Sequence, residues 1–374
     1  MTGQPQPDQG ARVSEQQAEP DRRRLRSVVI TVVVLFVVFV LVLPSIVDYQ
    51  TIWDSLKSLT LANIVVLLAL TALRTVTEAL VYRAMLPGLS LRAGSQAYLS
   101  SSAVTMLPPP APSVVQFAYF RSEGFGSDDA LAAAAGTFVF PQAGRLVMPV
   151  VAFVALLIAG QADDVAVIVV GISILVMVIV GLLAWLIGRS ERSALWVGRQ
   201  AARLISWVLG WFHRDPMDDL GPKLVQLRDL LYDVVRRRWK YGAFAVTCNL
   251  LTSFLMLLAT LRFLGVSNTD VPTVVVFASF AAAFLAGTLI PLTAGGLGVV
   301  DIVMVSSLAA VTTVDTNILV AAVLVWRIFY DVVTLPVGAL TLSSFSRSHA
   351  DLLSGAEQTL SSGDDQDPGD DTTS

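Results

Sequence analysis

Charge is scarce in this 374-residue chain. Only 14% of the residues are Asp, Glu, Lys or Arg, while 55% are hydrophobic. A soluble domain carries roughly a quarter charged residues, so an ordinary water-soluble core is excluded. Cysteine is nearly absent: Cys248 alone rules out an internal disulfide, and its apolar surroundings make it a small packing residue. The two histidines, His213 and His349, lie far apart in polar segments, and no Cys/His/carboxylate cluster has metal-ligand spacing. No metal and no cofactor are expected. No nucleotide-binding motif is present either. The net charge of −4 averages a basic interior segment with an acidic tail.

What is there instead is a series of long apolar runs. About 20 apolar residues span a bilayer, because the hydrocarbon core is about 30 Å thick and a helix rises about 1.5 Å per residue. Residues 27–47 form one such run, directly after Arg22, Arg23, Arg24 and Arg26. It is too long for a signal-peptide core and lacks a small-residue cleavage site, so it reads as a retained first span. Further spans are expected at 61–82, 130–158, 163–188, 241–264 and 318–343. The fold class expected is an all-α polytopic membrane protein, with about six full spans and two interrupted helical hairpins. Residues 1–26 and 347–374 have the polar, low-hydrophobicity composition of disordered tails. The membrane domain is placed at 27–346.

Charge sets the orientation. Cytoplasmic loops carry an excess of Lys and Arg. Segment 189–240 holds five more basic than acidic residues, whereas the loops on the opposite side hold Lys57 and no arginine. Both termini are therefore expected in the cytoplasm, with the protein in the cell membrane. Trp196, Trp207, Trp211 and Phe212 alternate with arginines in 189–240, the pattern of amphipathic helices on the inner leaflet; an ordinary positive-inside loop is the alternative. Basic residues flanking membrane spans do not point to nucleic acid.

Two apolar stretches are broken. One is 95–120, at Pro108-Pro109-Pro110-Ala111-Pro112, and the other is 273–314, at Pro291 to Gly298. Irregular backbone at membrane depth is tolerated only inside protein or beside a wet cavity, and paired breaks in two halves mark transporter-type sites. A long helix with a single arginine follows each break, Arg145 in one half and Arg327 in the other. With the topology above, the halves would form an inverted repeat whose re-entrant tips meet near the midplane. The alternative is that both breaks are loops between full spans. Gly295, Gly296 and Gly298 read as a helix start whose amides can approach an anion.

Ionisable residues within spans are costly and are functional candidates. Arg74 and Glu78 are four residues apart, as are Arg327 and Asp331, so each pair can neutralise itself. Asp301 follows the glycine turn, at a helix start that favours a carboxylate. Arg145 has no acid one turn away. The bland reading is a set of interhelical ion pairs. The sharper one is a lipid headgroup bound by Arg145, Arg327 and the Gly295, Gly296 and Gly298 amides, with Arg74, Glu78, Asp301 and Asp331 as supporting pairs.

The stretch Pro291-Leu292-Thr293-Ala294-Gly295-Gly296-Leu297-Gly298-Val299-Val300-Asp301 resembles the glycine signature of the lysylphosphatidylglycerol synthase transmembrane region, also called the flippase-like family. Arg327 with Pro336 and Gly338 resembles that family's last helix, and Phe117 to Phe125 its first re-entrant region. The likeness covers roughly 25–345. Two departures stand out: Pro112 to Gln116 lack the family's Gly-acid pair, and Gly144 stands where the family often has an acid. The resemblance implies movement of an anionic lipid or lipid-linked precursor between leaflets, without enzymatic activity, since the synthase's soluble aminoacyl-transfer domain is not found in these residues. Two other readings are kept: an accessory protein docking a cell-envelope synthesis partner, and an intramembrane enzyme acting on lipid phosphates or lipid-linked sugars.

Overall fold

The computed structural model describes residues 54, 57–105, 111–161, 164–210, 221–289, 298–349 and 352. The expected tail 1–26, the span 27–47, nearly all of the acidic tail, Pro108 to Pro110, and Pro291 to Leu297 with Gly295 and Gly296 lie outside these residues.

Every regular element among the described residues is helical. The first half runs α1 (Leu61–Met85), α2 (Leu91–Ala103), α3 (Ala111–Ser122) and α4 (Ser127–Ile158). Then come α5 (Asp164–Arg189), α6 (Glu191–Gly210) and α7 (Gly221–Phe263). The second half continues with α8 (Thr273–Leu289), α9 (Val299–Ala309) and α10 (Thr316–Arg327); a π-helical turn (Ile328–Val332) joins α10 to α11 (Thr334–Ser348). Among the described residues, four helices are long and apolar enough to cross a membrane: Leu61–Met85, Ser127–Ile158, Arg238–Phe263 and Thr316–Ser348. The expected span at 163–188 corresponds to α5, which is apolar along nearly its whole length.

Local chemistry explains the boundaries. The Thr60 and Ser90 hydroxyls accept from Asn63 N and Ala93 N and cap α1 and α2. At the far ends, Arg121 and Arg262 donate to the carbonyls of Phe125 and Val266, past the left-handed glycines Gly124 and Gly265. Arg262 is held by its own turn, where it also donates to Asn268 Oδ1 and the Val271 carbonyl. Between Lys223 and Tyr241 no glycine or proline interrupts the chain, so the second part of the basic segment runs unbroken into the α7 span. Only α6 is a separate helix of that segment.

The interrupted stretches become helix pairs, α2 with α3 and α8 with α9, and each pair packs on itself. At about 1.5 Å per residue, the 13-residue α2 is about 20 Å long and the 11-residue α9 about 17 Å, short of a bilayer core of about 30 Å. The halves then interlock. α1 packs along α7, α2 along α11 of the other half, and α8 along α4 of the other half.

Close crossings rest on glycine, as expected where helices pack without a hydrophobic force between them. A Cβ on Gly144 would lie 2.5 Å from Val246 Cγ1 of α7, and one on Gly338 would collide with the Leu99 carbonyl of α2. Gly338→Val should therefore cost about 1–3 kcal/mol by overpacking, whereas Gly181→Ala, with nothing within 4 Å of its added Cβ, should be neutral. Thermal unfolding in detergent will separate the two.

Candidate functional site

Arg74 of α1 is buried, 5% exposed. Its Nη1 donates to the Tyr98 hydroxyl of α2 at 2.6 Å and to the Tyr330 carbonyl at 2.9 Å. Its guanidinium also lies 3.6 Å from the Tyr330 ring centre. The expected pair with Glu78 forms, at 3.6 Å. The π turn makes these contacts available. Val333 N reaches back to the Ile328 carbonyl, and the neighbouring carbonyls of Phe329 and Tyr330 accept from Thr71 Oγ1 and Arg74 instead. Single π turns inside α-helices are often functional. Nearby, Gln116 of α3 donates to the Tyr82 hydroxyl and accepts from Thr137 Oγ1 of α4, each at 2.8 Å. The position where a Gly-acid pair was looked for thus holds an amide that ties three helices together.

Arg327 closes α10, 8% exposed. Its Nε donates to Asp301 Oδ1 at 2.6 Å, and its Nη1 to Asp331 Oδ2 at 2.9 Å. Asp301 Oδ2 also accepts from Gly298 N at 3.0 Å. Gly298 has φ +87°, a backbone that L side chains rarely adopt, and it opens α9. The last glycine of the run therefore positions Asp301, and its own amide is engaged by that carboxylate. Arg327 is shared by two carboxylates, a local charge of −1.

Arg145 of α4 stands differently. Its Nη1 donates to Gln142 Oε1 at 3.2 Å, and Thr288 Oγ1 of α8 donates to the same oxygen at 3.2 Å. Its guanidinium lies 5.0 Å from the Phe284 ring centre. Its Nε is buried and has no hydrogen-bond partner. No carboxylate pairs with it among the described residues. Pro141 and Pro149 flank it inside α4, and each removes a backbone donor from the helix. Thr288 lies three residues before Pro291, so Arg145 faces the end of α8 where the second break begins.

Arg145 and Arg327 are not joined by a contact. They share an aromatic neighbourhood: Phe284, against Arg145, has its ring centre 6.1 Å from Trp326 and 6.4 Å from Tyr330. The glycine-run helix start, the carboxylate it positions and the arginine that closes on it form one device in the second half. The model of the lysylphosphatidylglycerol synthase TM region matches residues 27–338. The chain belongs to this family. No curated protein matches it. The family match takes in all six intramembrane ionisable residues and ends at Gly338, the close approach of α11 to α2. Gly144 also acquires a reason: its Cβ position is filled by α7, so an acid there has no room.

Sequence reasoning did not single out Tyr98, Phe284, Gln142 or Tyr330. Gln142 carried a usable signal, a lone amide three residues before Arg145 in an apolar helix. The aromatic residues carried none, since aromatics are common in apolar spans. The charge arrangement predicts unequal stability effects. Arg327→Gln leaves two half-buried carboxylates without their cation and should cost about 3–5 kcal/mol. Arg145→Gln breaks no ion pair and should change stability by about 1 kcal/mol or less. Melting temperatures of the purified variants in one detergent will check this.

Proposed function

We propose that this multi-pass membrane protein moves a lipid, or lipid-linked precursor, with an anionic headgroup between leaflets, and that Arg145 takes the headgroup phosphate. The carrying observation is the state of the three intramembrane arginines. Each of the three keeps one buried guanidinium nitrogen without a hydrogen-bond partner, but Arg74 and Arg327 are paired with carboxylates, while Arg145 has no carboxylate among the described residues and donates only to the Gln142 amide. An arginine fork suits a phosphate bidentately. Gln142 and Thr288 supply polar groups beside it, and the glycines preceding Gly298 follow on from Thr288.

In this reading the pairs α2–α3 and α8–α9 are re-entrant hairpins, one entering from each side, and the two halves are inverted repeats. Their matching helix order and reciprocal packing support this. Both termini lie in the cytoplasm of a cell with this protein in its plasma membrane. The protein does no covalent chemistry. A second reading, a dock for a cell-envelope synthesis partner, is favoured by α6 alone, where Trp196, Arg192, Arg199 and Arg203 are exposed.

Proteoliposomes with fluorescent headgroup-labelled or acyl-labelled phosphatidylglycerol test the proposal. Wild type should move the probe across the bilayer, Arg145→Gln should lose most of that rate, and Arg145→Lys should retain part of it, because lysine keeps the charge but not the fork. Equal rates in wild type and protein-free vesicles across several lipid classes would remove the proposal. Loss of activity only on neutralising the α6 arginines would favour the docking reading.

A further inference from the structure

The apolar segments around the candidate site carry three arginines and three carboxylates: Arg74, Arg145 and Arg327 against Glu78, Asp301 and Asp331. They sum to zero but are not paired one to one. Arg74 has Glu78. Arg327 has both Asp301 and Asp331. Arg145 has none among the described residues. The empty protein therefore holds one surplus cation at Arg145 and one surplus carboxylate at Arg327, neutral in total. Charge inside a membrane is expensive, so this balance matters whenever the protein changes shape with the bilayer around it.

Binding an anionic headgroup disturbs the balance. One net negative charge on Arg145 cancels the surplus cation and leaves the surplus carboxylate uncompensated. A single proton restores neutrality. Both oxygens of Asp301 already receive hydrogen bonds, from Arg327 Nε at 2.6 Å and Gly298 N at 3.0 Å. Asp331 receives one hydrogen bond, at 2.9 Å, and its side chain is 33% exposed, against 24% for Asp301 and 16% for Glu78. Asp331 faces Arg327 from its own helix, Asp301 of α9 across that arginine, and the field of Arg74 from α1, with Tyr98 and Tyr330 as the neighbouring phenols. It also lies on the π turn beside Tyr330, whose ring neighbours Phe284 and, through it, Arg145.

We infer that Asp331 binds one proton for each anionic headgroup taken by Arg145, so that the protein is an electroneutral proton–lipid symporter. This rests on the translocator reading and adds its energy source. Both the empty and the loaded forms are then neutral at mid-membrane, and only the singly loaded forms carry charge.

The test uses the full chain in phosphatidylcholine vesicles with acyl-labelled phosphatidylglycerol as probe, an entrapped pH dye, and the membrane potential clamped by potassium and valinomycin. At steady state the probe should accumulate in the leaflet facing the alkaline side, about tenfold per pH unit of imposed gradient. The dye should record proton entry with the probe. Asp331→Asn mimics the protonated form permanently, so its empty form carries an extra positive charge. It should still exchange labelled for unlabelled lipid but lose the gradient-driven accumulation, whereas Asp129→Asn, at an exposed position in the first turn of α4, should keep it. If wild type moves the probe with a leaflet distribution indifferent to the gradient and no proton entry, the coupling is wrong and translocation stands. If wild type moves no lipid, both fall. If Asp331→Asn folds and still follows the gradient, the proton site is not Asp331. The dye record on wild type decides the coupling even where a variant does not fold.

Discussion

A guanidinium inside hydrocarbon has to be met by protein, since neither water nor lipid tails can accept its hydrogen bonds. Much of the architecture can be read as the ways this chain meets that demand. Arg74 draws α1 to α2 through Tyr98 and to the last long helix through the Tyr330 carbonyl. Arg327 draws α10 to α9 through Asp301. Arg145 draws α4 to α8 through Gln142, Thr288 and Phe284, and is met only in part. The three differ in charge pairing: Arg74 and Arg327 face carboxylates, whereas Arg145 faces none among the described residues.

Meeting those demands bends the helices that carry them. An uninterrupted α-helix spends its carbonyls on itself. The π turn after Arg327 turns two of them toward Thr71 and Arg74, and the prolines around Arg145 leave others without an intrahelical donor. Such irregularity is sustainable at membrane depth only where neighbouring helices enclose it. The glycine crossings at Gly144 and Gly338 supply that enclosure by letting α7 and α2 approach closely. Removing a methyl-sized space at either place would push apart the helices that shield the polar groups.

The two halves share this logic without sharing residues. Each has a long helix, a short pair around a break and a last long helix bearing one arginine. In the second half the break positions a carboxylate on the arginine; in the first, Gln116 takes the corresponding role of tying α3 to its neighbours and leaves Arg145 without an acid.

The helical class, the positions of the spans at 61–82, 130–158, 241–264 and 318–343, the two breaks and the family were all legible in the residues. Hydrophobic run length, proline position and the glycine signature are local properties that a chain in hydrocarbon can satisfy in few ways. The local pairs Arg74–Glu78 and Arg327–Asp331 were equally legible, because four-residue spacing sets them side by side on any helix. Tertiary structure alone decided the rest. It assigned Asp301 to Arg327 across two helices, set Tyr98 and a π-turn carbonyl on Arg74, and set Gln142, Thr288 and Phe284 around Arg145. Which helix faces which depends on close packing of small residues and on non-local carbonyls, and neither leaves a periodic trace in the sequence.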